Sequence, residues 1–148
     1  MFYRIATSED VAALVVVRLA VTENRLSDPS RITIAMCQDY LNHLGRGWVC
    51  EVEGQIVGFS VAARADYSIW ALFLLPEFEG RGIGKRLLQY ATDWLFALGA
   101  PHIQLSTTAN TRADTFYTLQ GWHRGEMKDA IEVCYTLPRP VASATNLP

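Results

Sequence analysis

The apolar residues of the chain change period several times, and each change marks an element. A short apolar run at residues 2–6 reads as an opening strand, and Thr7 follows as a helix N-cap, with Ser8, Glu9 and Asp10 placing polar and negative groups in the first turn. Val11, Leu14, Val15 and Leu19 recur at helical spacing, and the stripe gives out after Val21 at Thr22, Glu23 and Asn24. Asp28-Pro29 is a second start signal, a capping residue before a proline whose φ suits a first helical turn. Ile32, Met36, Tyr40 and Leu44 follow at intervals of four, and Gly45 stops that helix.

From Trp48 the period is that of a strand. Residues 48–52 and 56–63 are β-rich runs joined as a hairpin across Glu53-Gly54, and residues 68–75 form a further strand ending at Pro76, which has no amide to donate to a ladder. Over residues 83–98, Ile83, Leu87, Ala91 and Leu95 form one helical stripe with Leu88 and Leu98 beside it, and Gly99 and Pro101 stop it. A strand at 103–107, a short helix at 112–120 and a closing strand pair reaching Leu137 complete one domain over residues 1–137. Residues 138–148 hold three prolines and small polar residues with little to bury, and read as a C-terminal tail. No internal repeat is present.

Composition narrows the function classes. A chain of 148 residues that is 50% apolar buries a full core without staples. A net charge of -2, with Lys and Arg spread along the chain, leaves no basic stripe to neutralise a phosphate backbone, so nucleic acid is not an expected partner. Cys37, Cys50 and Cys134 form no CxxC or His-paired spacing and read as reduced core thiols. The amino terminus has no signal-peptide pattern, and no apolar run approaches the ~20 residues of a membrane-spanning helix, so a cytoplasmic protein is expected. His43, His102 and His123 lack metal or triad spacing, and no metal site is expected.

The candidate chemistry lies between the strand at 68–75 and the helix at 83–98. Glycines at 80, 82 and 84 let backbone approach a ligand closely, and the first amides of the helix present a positive dipole end. Arg81, Lys85 and Arg86 add positive charge to a turn suited to a phosphate. A P-loop is ruled out, because Glu79 stands where its first glycine belongs and Arg86 where its Ser or Thr belongs. A GxGxxG fingerprint begun at Gly80 meets Lys85 in place of its third glycine, and begun at Gly82 it meets Leu87. A turn serving only to reverse the chain remains the alternative for the motif taken by itself.

Two motifs together carry a resemblance. Glu79-Gly80-Arg81-Gly82-Ile83-Gly84 follows Pro76-Glu77-Phe78, and further on come Asn110, Ala113, Phe116, Tyr117, Gly121 and Trp122. In this order and spacing they resemble the GNAT superfamily of N-acetyltransferases over residues 2–137, with Glu79 replacing the family's usual Gln or Arg. The resemblance implies an α/β (α+β by some schemes) GNAT-like single domain. Its central mixed, mostly antiparallel sheet has about six to seven strands, flanked by about four helices and splayed between the fourth and fifth strands. It implies acetyl-CoA as cosubstrate and direct transfer of the acetyl group to the amine of a small molecule or peptide. The pyrophosphate would rest on the turn at residues 79–86, comprising Glu79, Gly80, Arg81, Gly82, Ile83, Gly84, Lys85 and Arg86. The pantetheine arm would pair with the backbone of Phe73, Leu74 and Leu75, and Asn110, Ala113, Phe116 and Tyr117 would complete the cofactor side.

The resemblance also implies roles in the reaction. The backbone amide of Leu74 would donate to the thioester oxygen, and the Tyr117 hydroxyl would protonate the leaving sulfur. A lysine-like amine with pKa of about 10.4 lies roughly 3.4 units above neutral pH, so freeing its lone pair costs about 4.6 kcal/mol unless a base removes the proton. Residues 68–75 hold no ionisable residue, where many relatives place a glutamate. Water, Glu23 or Asp66 is left to take the proton. Glu23, Asn24 and Trp70 are the acceptor-side candidates, with surface (Glu23) or core (Trp70) as their plain structural alternatives. The missing strand carboxylate keeps a second function open, a non-catalytic acyl-CoA-binding module, and a homodimer is compatible with the sequence.

Overall fold

The computed structural model of the chain describes residues 1–21 and 34–140. Seven strands among them, β1 (Phe2–Ile5), β2 (Gly45–Val52), β3 (Gln55–Ala63), β4 (Ser68–Leu74), β5 (His102–Thr108), β6 (His123–Met127) and β7 (Glu132–Pro138), build one sheet in the order β1-β2-β3-β4-β5-β7-β6. Four described α-helices, α1 (Val11–Ala20), α2 (Ile34–Asp39), α3 (Ile83–Ala97) and α4 (Arg112–Leu119), flank it. Neighbouring strands are antiparallel except β4 and β5, which run parallel and register only at Ser68 and Gln104. This is the mixed, splayed sheet that the GNAT resemblance implies.

The long amphipathic helix covers one face. Ile83, Leu87, Leu88, Ala91 and Leu95 of α3 are buried, and Ser60 of β3 donates to the Leu87 carbonyl at 2.9 Å. On the other face Phe59 and Val61 turn toward α1. The β2–β3 hairpin turns on Glu53 and Gly54, both with positive φ (52° and 78°), the conformation that matches the right-handed twist of the strands.

Two expectations change for physical reasons. The helix ending at Gly45 is α2 followed by a π-helical turn, Tyr40–Leu44, which takes more residues per turn and breaks the four-residue stripe. Leu44 is therefore 47% exposed and Leu41 packs on the core, while within α2 Met36 is 37% exposed and Cys37 is buried. The strand begins at Gly45 rather than Trp48, because β2 presses closely on its neighbours. A Cβ on Gly45 would sit 1.8 Å from the Ala62 carbonyl oxygen, and one on Gly47 would sit 2.5 Å from Leu41 Cδ2.

Pro138, read from the sequence as the start of the tail, closes β7 opposite His102. The next residue, Arg139, donates from its side chain to the carbonyls of Ala100 (2.9 Å) and Phe96 (2.5 Å) at the end of α3. The second helix-start signal at Asp28-Pro29, and Ile32 with it, lie outside the described residues. No described helix is long and apolar enough to cross a membrane, and no cluster of His, Cys, Asp or Glu among the described residues is placed to hold a metal ion.

Candidate active site

Where β4 and β5 part, a cleft of about 460 Å³ opens, lined by β4, the glycine turn and α4. The Leu75 amide donates to the Val57 carbonyl at 2.8 Å, so the backbone of Leu75 points into the β3 ladder. Strand alternation then turns the amide and carbonyl of Leu74 to the opposite side, toward the opening. The β4–β5 ladder ends at Ser68, so the Leu74 groups face the cleft with no strand partner.

At the mouth of the cleft, Gly80 and Gly82 adopt φ of 79° and 82°, left-handed values that glycine takes without strain. A Cβ at either position would meet nothing within 4 Å, so the backbone lies bare on a concave surface. The Arg86 amide closes the first turn of α3 on the Gly82 carbonyl at 3.1 Å, which leaves the amides of Ile83, Gly84 and Lys85 without helical acceptors. No acidic residue stands in that turn. These are the elements of an anion site. Glu79 lines the cleft, but its carboxylate pairs with Arg112 at 3.2 Å, which draws its charge toward α4.

The other expected residues divide. Phe73, Ile83, Gly84, Lys85, Ala113, Phe116 and Tyr117 line the cleft. Arg81 and Arg86 do not. Their guanidiniums lie over the rings of Phe78 (5.1 Å) and Tyr3 (5.3 Å), which leaves the backbone as the main feature of the turn. Asn110 holds φ of 62°, and its amide donates to Asp114 at 2.8 Å, so its place is in the turn that starts α4. Glu23 and Asn24 lie outside the described residues. Asp66 accepts from the Ser68 hydroxyl at 2.6 Å at the closed end of the β4–β5 junction, away from Leu74.

Tyr117 is 6% exposed and packs against Phe116, Trp122 and Tyr135. Burial, with Tyr135 beside it, pushes its phenol well above the usual tyrosine value, so it holds its proton through the neutral and alkaline range. No described residue bonds its hydroxyl. Tyr135, by contrast, is fully engaged, donating to Asp114 and sharing a 2.8 Å bond with Thr118.

Asp114 is a residue the sequence reading missed. It is buried at the third position of α4, where its amide bonds the Thr111 hydroxyl at 3.3 Å and its carboxylate accepts from Asn110, Tyr135 and both arms of Arg124. The Thr111-x-x-Asp114 spacing was the available signal. The Arg124 guanidinium first, then the Tyr135 and Asn110 donors, hold its carboxyl well below the usual carboxylate range. A folded-state pKa below the unfolded one stabilises the protein above the unfolded value of about 3.9, and the benefit is lost as pH falls toward the folded value. Asp114→Ala is expected to cost about 2–4 kcal/mol in urea unfolding at pH 7, because it strands buried donors. The gap between wild type and variant should narrow at pH 3, and an equal gap at both pH values would remove the carboxylate from this account.

A second cavity, of about 290 Å³, lies on the far side of β4 under α1 and α2. Val15 and Leu19, part of the helical stripe of α1, line it, and Leu19 is 58% exposed there. Trp70 also lines it. One extra residue in β4 between the Val61–Ala71 and Ala62–Ile69 pairs makes Trp70 a bulge, and its ring stacks on Tyr40 at 4.0 Å. Phe73 borders this cavity and the cleft alike.

Comparison with known proteins agrees with this geometry. The model of the acetyltransferase (GNAT) family matches residues 14–122, and the chain belongs to that family. The peptidyl-lysine N-acetyltransferase YiaC of Escherichia coli (strain K12) is 33% identical over 94 residues, covering 63% of this chain and 60% of that protein. An uncharacterized N-acetyltransferase of Archaeoglobus fulgidus is 33% identical over 88 residues, covering 53% and 60%. The chain thus spans about 60% of the length of these curated relatives. The crystal structure of the PaiA N-acetyltransferase of Thermoplasma acidophilum, in complex with coenzyme A, superposes with a TM-score of 0.81 at 16% identity, covering 94% of this chain and all of that one.

Proposed function

We propose that the chain is an acetyl-CoA-dependent N-acetyltransferase in which an acceptor amine attacks the thioester directly. The observation that carries this is the joining of two features in one cleft. A glycine turn with bare backbone and unbonded helix amides suits a pyrophosphate, and Leu74 offers a free strand edge to an extended pantetheine arm. Acetyl-CoA, as cosubstrate, supplies the activated acyl group. The amides of Ile83, Gly84 and Lys85 hold its phosphates, and Ala113 and Phe116 wall the opposite side.

The Leu74 amide donates to the carbonyl oxygen as negative charge gathers there. The amine nitrogen forms its bond to the carbonyl carbon, the carbon–sulfur bond breaks, the Tyr117 hydroxyl gives its proton to the sulfur, and the proton shed by the attacking nitrogen restores the phenol through water. The ammonium proton leaves to water, since no unpaired carboxylate among the described residues lines either cavity. The three unbridged thiols of Cys37, Cys50 and Cys134 support a cytoplasmic setting.

The shortage of a base favours one rival, a binding module that holds acyl-CoA without turnover. Thiol release from acetyl-CoA over a panel of amines decides between them. Turnover on an amine is expected, and calorimetric CoA binding with no turnover on any amine would leave the binding module. With no protein base, the rate should climb with pH as the free amine accumulates, and Tyr117 should impose no fall up to about pH 10.

A further inference from the structure

We infer that Arg18 of α1 anchors a carboxylate on the acceptor, so that the amine acetylated is an apolar amino acid or a similarly small amino-carboxylate. The inference rests on the acetyltransferase reading and deepens it. Arg18 is the one charged side chain among the described residues lining the cavity beneath α1 and α2; the rest are apolar side chains and the thiol of Cys37. Its Nε is buried and has no hydrogen-bond acceptor. A buried donor left unpaired is a net cost to the fold, and ordinary core packing has no use for it.

The guanidinium is also held in place. Its Cζ lies 5.9 Å from the centroid of Phe73, within reach of the ring's negative face, yet a ring does not replace a hydrogen-bond acceptor for the buried Nε–H. A carboxylate supplies the missing acceptor with matching charge and fork geometry. Phe73 fixes where the amine goes. It lines both this cavity and the cleft where Leu74 presents its amide, so an anion on Arg18 and an amine beside Leu74 belong to one short molecule.

The rest of the lining includes Leu14, Val61, Trp70 and Ala71, with Tyr40 stacked on Trp70, which selects an apolar side chain. The cavity, at about 290 Å³, is at the small end of the ~300–1,000 Å³ typical of ligand pockets, which suits a free amino acid over a folded partner.

The test compares ligands that differ only in the carboxylate. N-acetylphenylalanine and N-phenethylacetamide are titrated calorimetrically into the wild-type chain and into Arg18→Met and Arg18→Lys, with and without CoA. The acid is expected to bind wild type at least about tenfold more tightly than the neutral amide. That preference should fall to within about threefold in Arg18→Met and recover in part in Arg18→Lys, while CoA affinity stays unchanged. Equal binding of the two ligands to wild type, or a preference that survives in Arg18→Met, overturns the assignment. Thiol release with phenylalanine and phenethylamine provides the kinetic counterpart, the loss in Arg18→Met falling on KM for phenylalanine alone. Efficient acetylation of peptide lysines that is indifferent to Arg18→Met also overturns it. The acetyltransferase reading fails separately, by absence of turnover on every amine while the carboxylate preference and its dependence on Arg18 persist.

Discussion

Gly82→Glu is expected to lower CoA affinity by more than about 10²-fold while leaving a folded protein. Charge-assisted hydrogen bonds are worth about 1.5–3 kcal/mol each, and loss of two amide contacts alone reaches that figure. The substitution adds a carboxylate where the phosphates would lie, so repulsion works in the same direction. The fold should survive, because a Cβ on Gly82 meets no protein atom within 4 Å and the chief penalty is the left-handed φ of 82°, about 1–2 kcal/mol. Arg81→Glu is the internal comparison. The Arg81 side chain lies over Phe78 outside the cleft lining, so its reversal should weaken CoA by about tenfold or less. Calorimetric titration measures both, and equal losses would mean that side-chain charge rather than backbone amides dominates the site.

Tyr117→Phe is expected to lower kcat by about 10²–10⁴-fold with CoA affinity nearly unchanged, the range general acids supply. The ring contacts with Phe116, Trp122 and Tyr135 are retained, and no described residue loses a hydrogen bond. Thermal stability should therefore hold. This separates Tyr117 from Tyr135, whose hydroxyl bonds Asp114 and Thr118 and whose Phe variant should lose stability. A loss of only a few-fold in Tyr117→Phe, or a stability loss in place of a rate loss, would remove Tyr117 from the reaction and leave the departing sulfur to solvent.

Much of this architecture is legible in the chain because it depends on local periods. The α3 stripe from Ile83 to Leu95, the Glu53-Gly54 hairpin and the strand stopped by Pro76 are all read within a window of a few residues. The cofactor side is legible for the same reason, since the glycine turn and the start of α3 are contiguous. The cavity under α1 and α2 is assembled from segments far apart in sequence, and its signals point the wrong way. Val15 and Leu19 resemble core because the lining of an apolar cavity and a core use the same side chains. Arg18 resembles a solvated charge between them, and only its position beside Phe73 of β4 gives it another meaning. The bulge that re-aims Trp70 and the π turn that replaces Leu44 with Leu41 both depend on pairing partners that no local pattern names. Asp114 was missed because a capping residue that also binds Tyr135 and Arg124 looks like an ordinary helix acid.

The parting of β4 from β5 also bears on how the molecule avoids its own kind. A strand flank without a partner is normally a template for another chain, and proteins protect such flanks at the rims of their sheets. Here an unpaired flank lies in the interior of a seven-stranded sheet, at Leu74, with the ladder already sealed at Ser68 and Gln104. A polypeptide strand trying to dock there would need a full strand's width along a wedge that narrows to nothing, and its side chains would meet Phe116 and Tyr117. A thin, unbranched chain needs far less room. The wedge thus keeps the hydrogen-bonding capacity of a sheet edge while excluding the strand-to-strand association that makes outer edges hazardous.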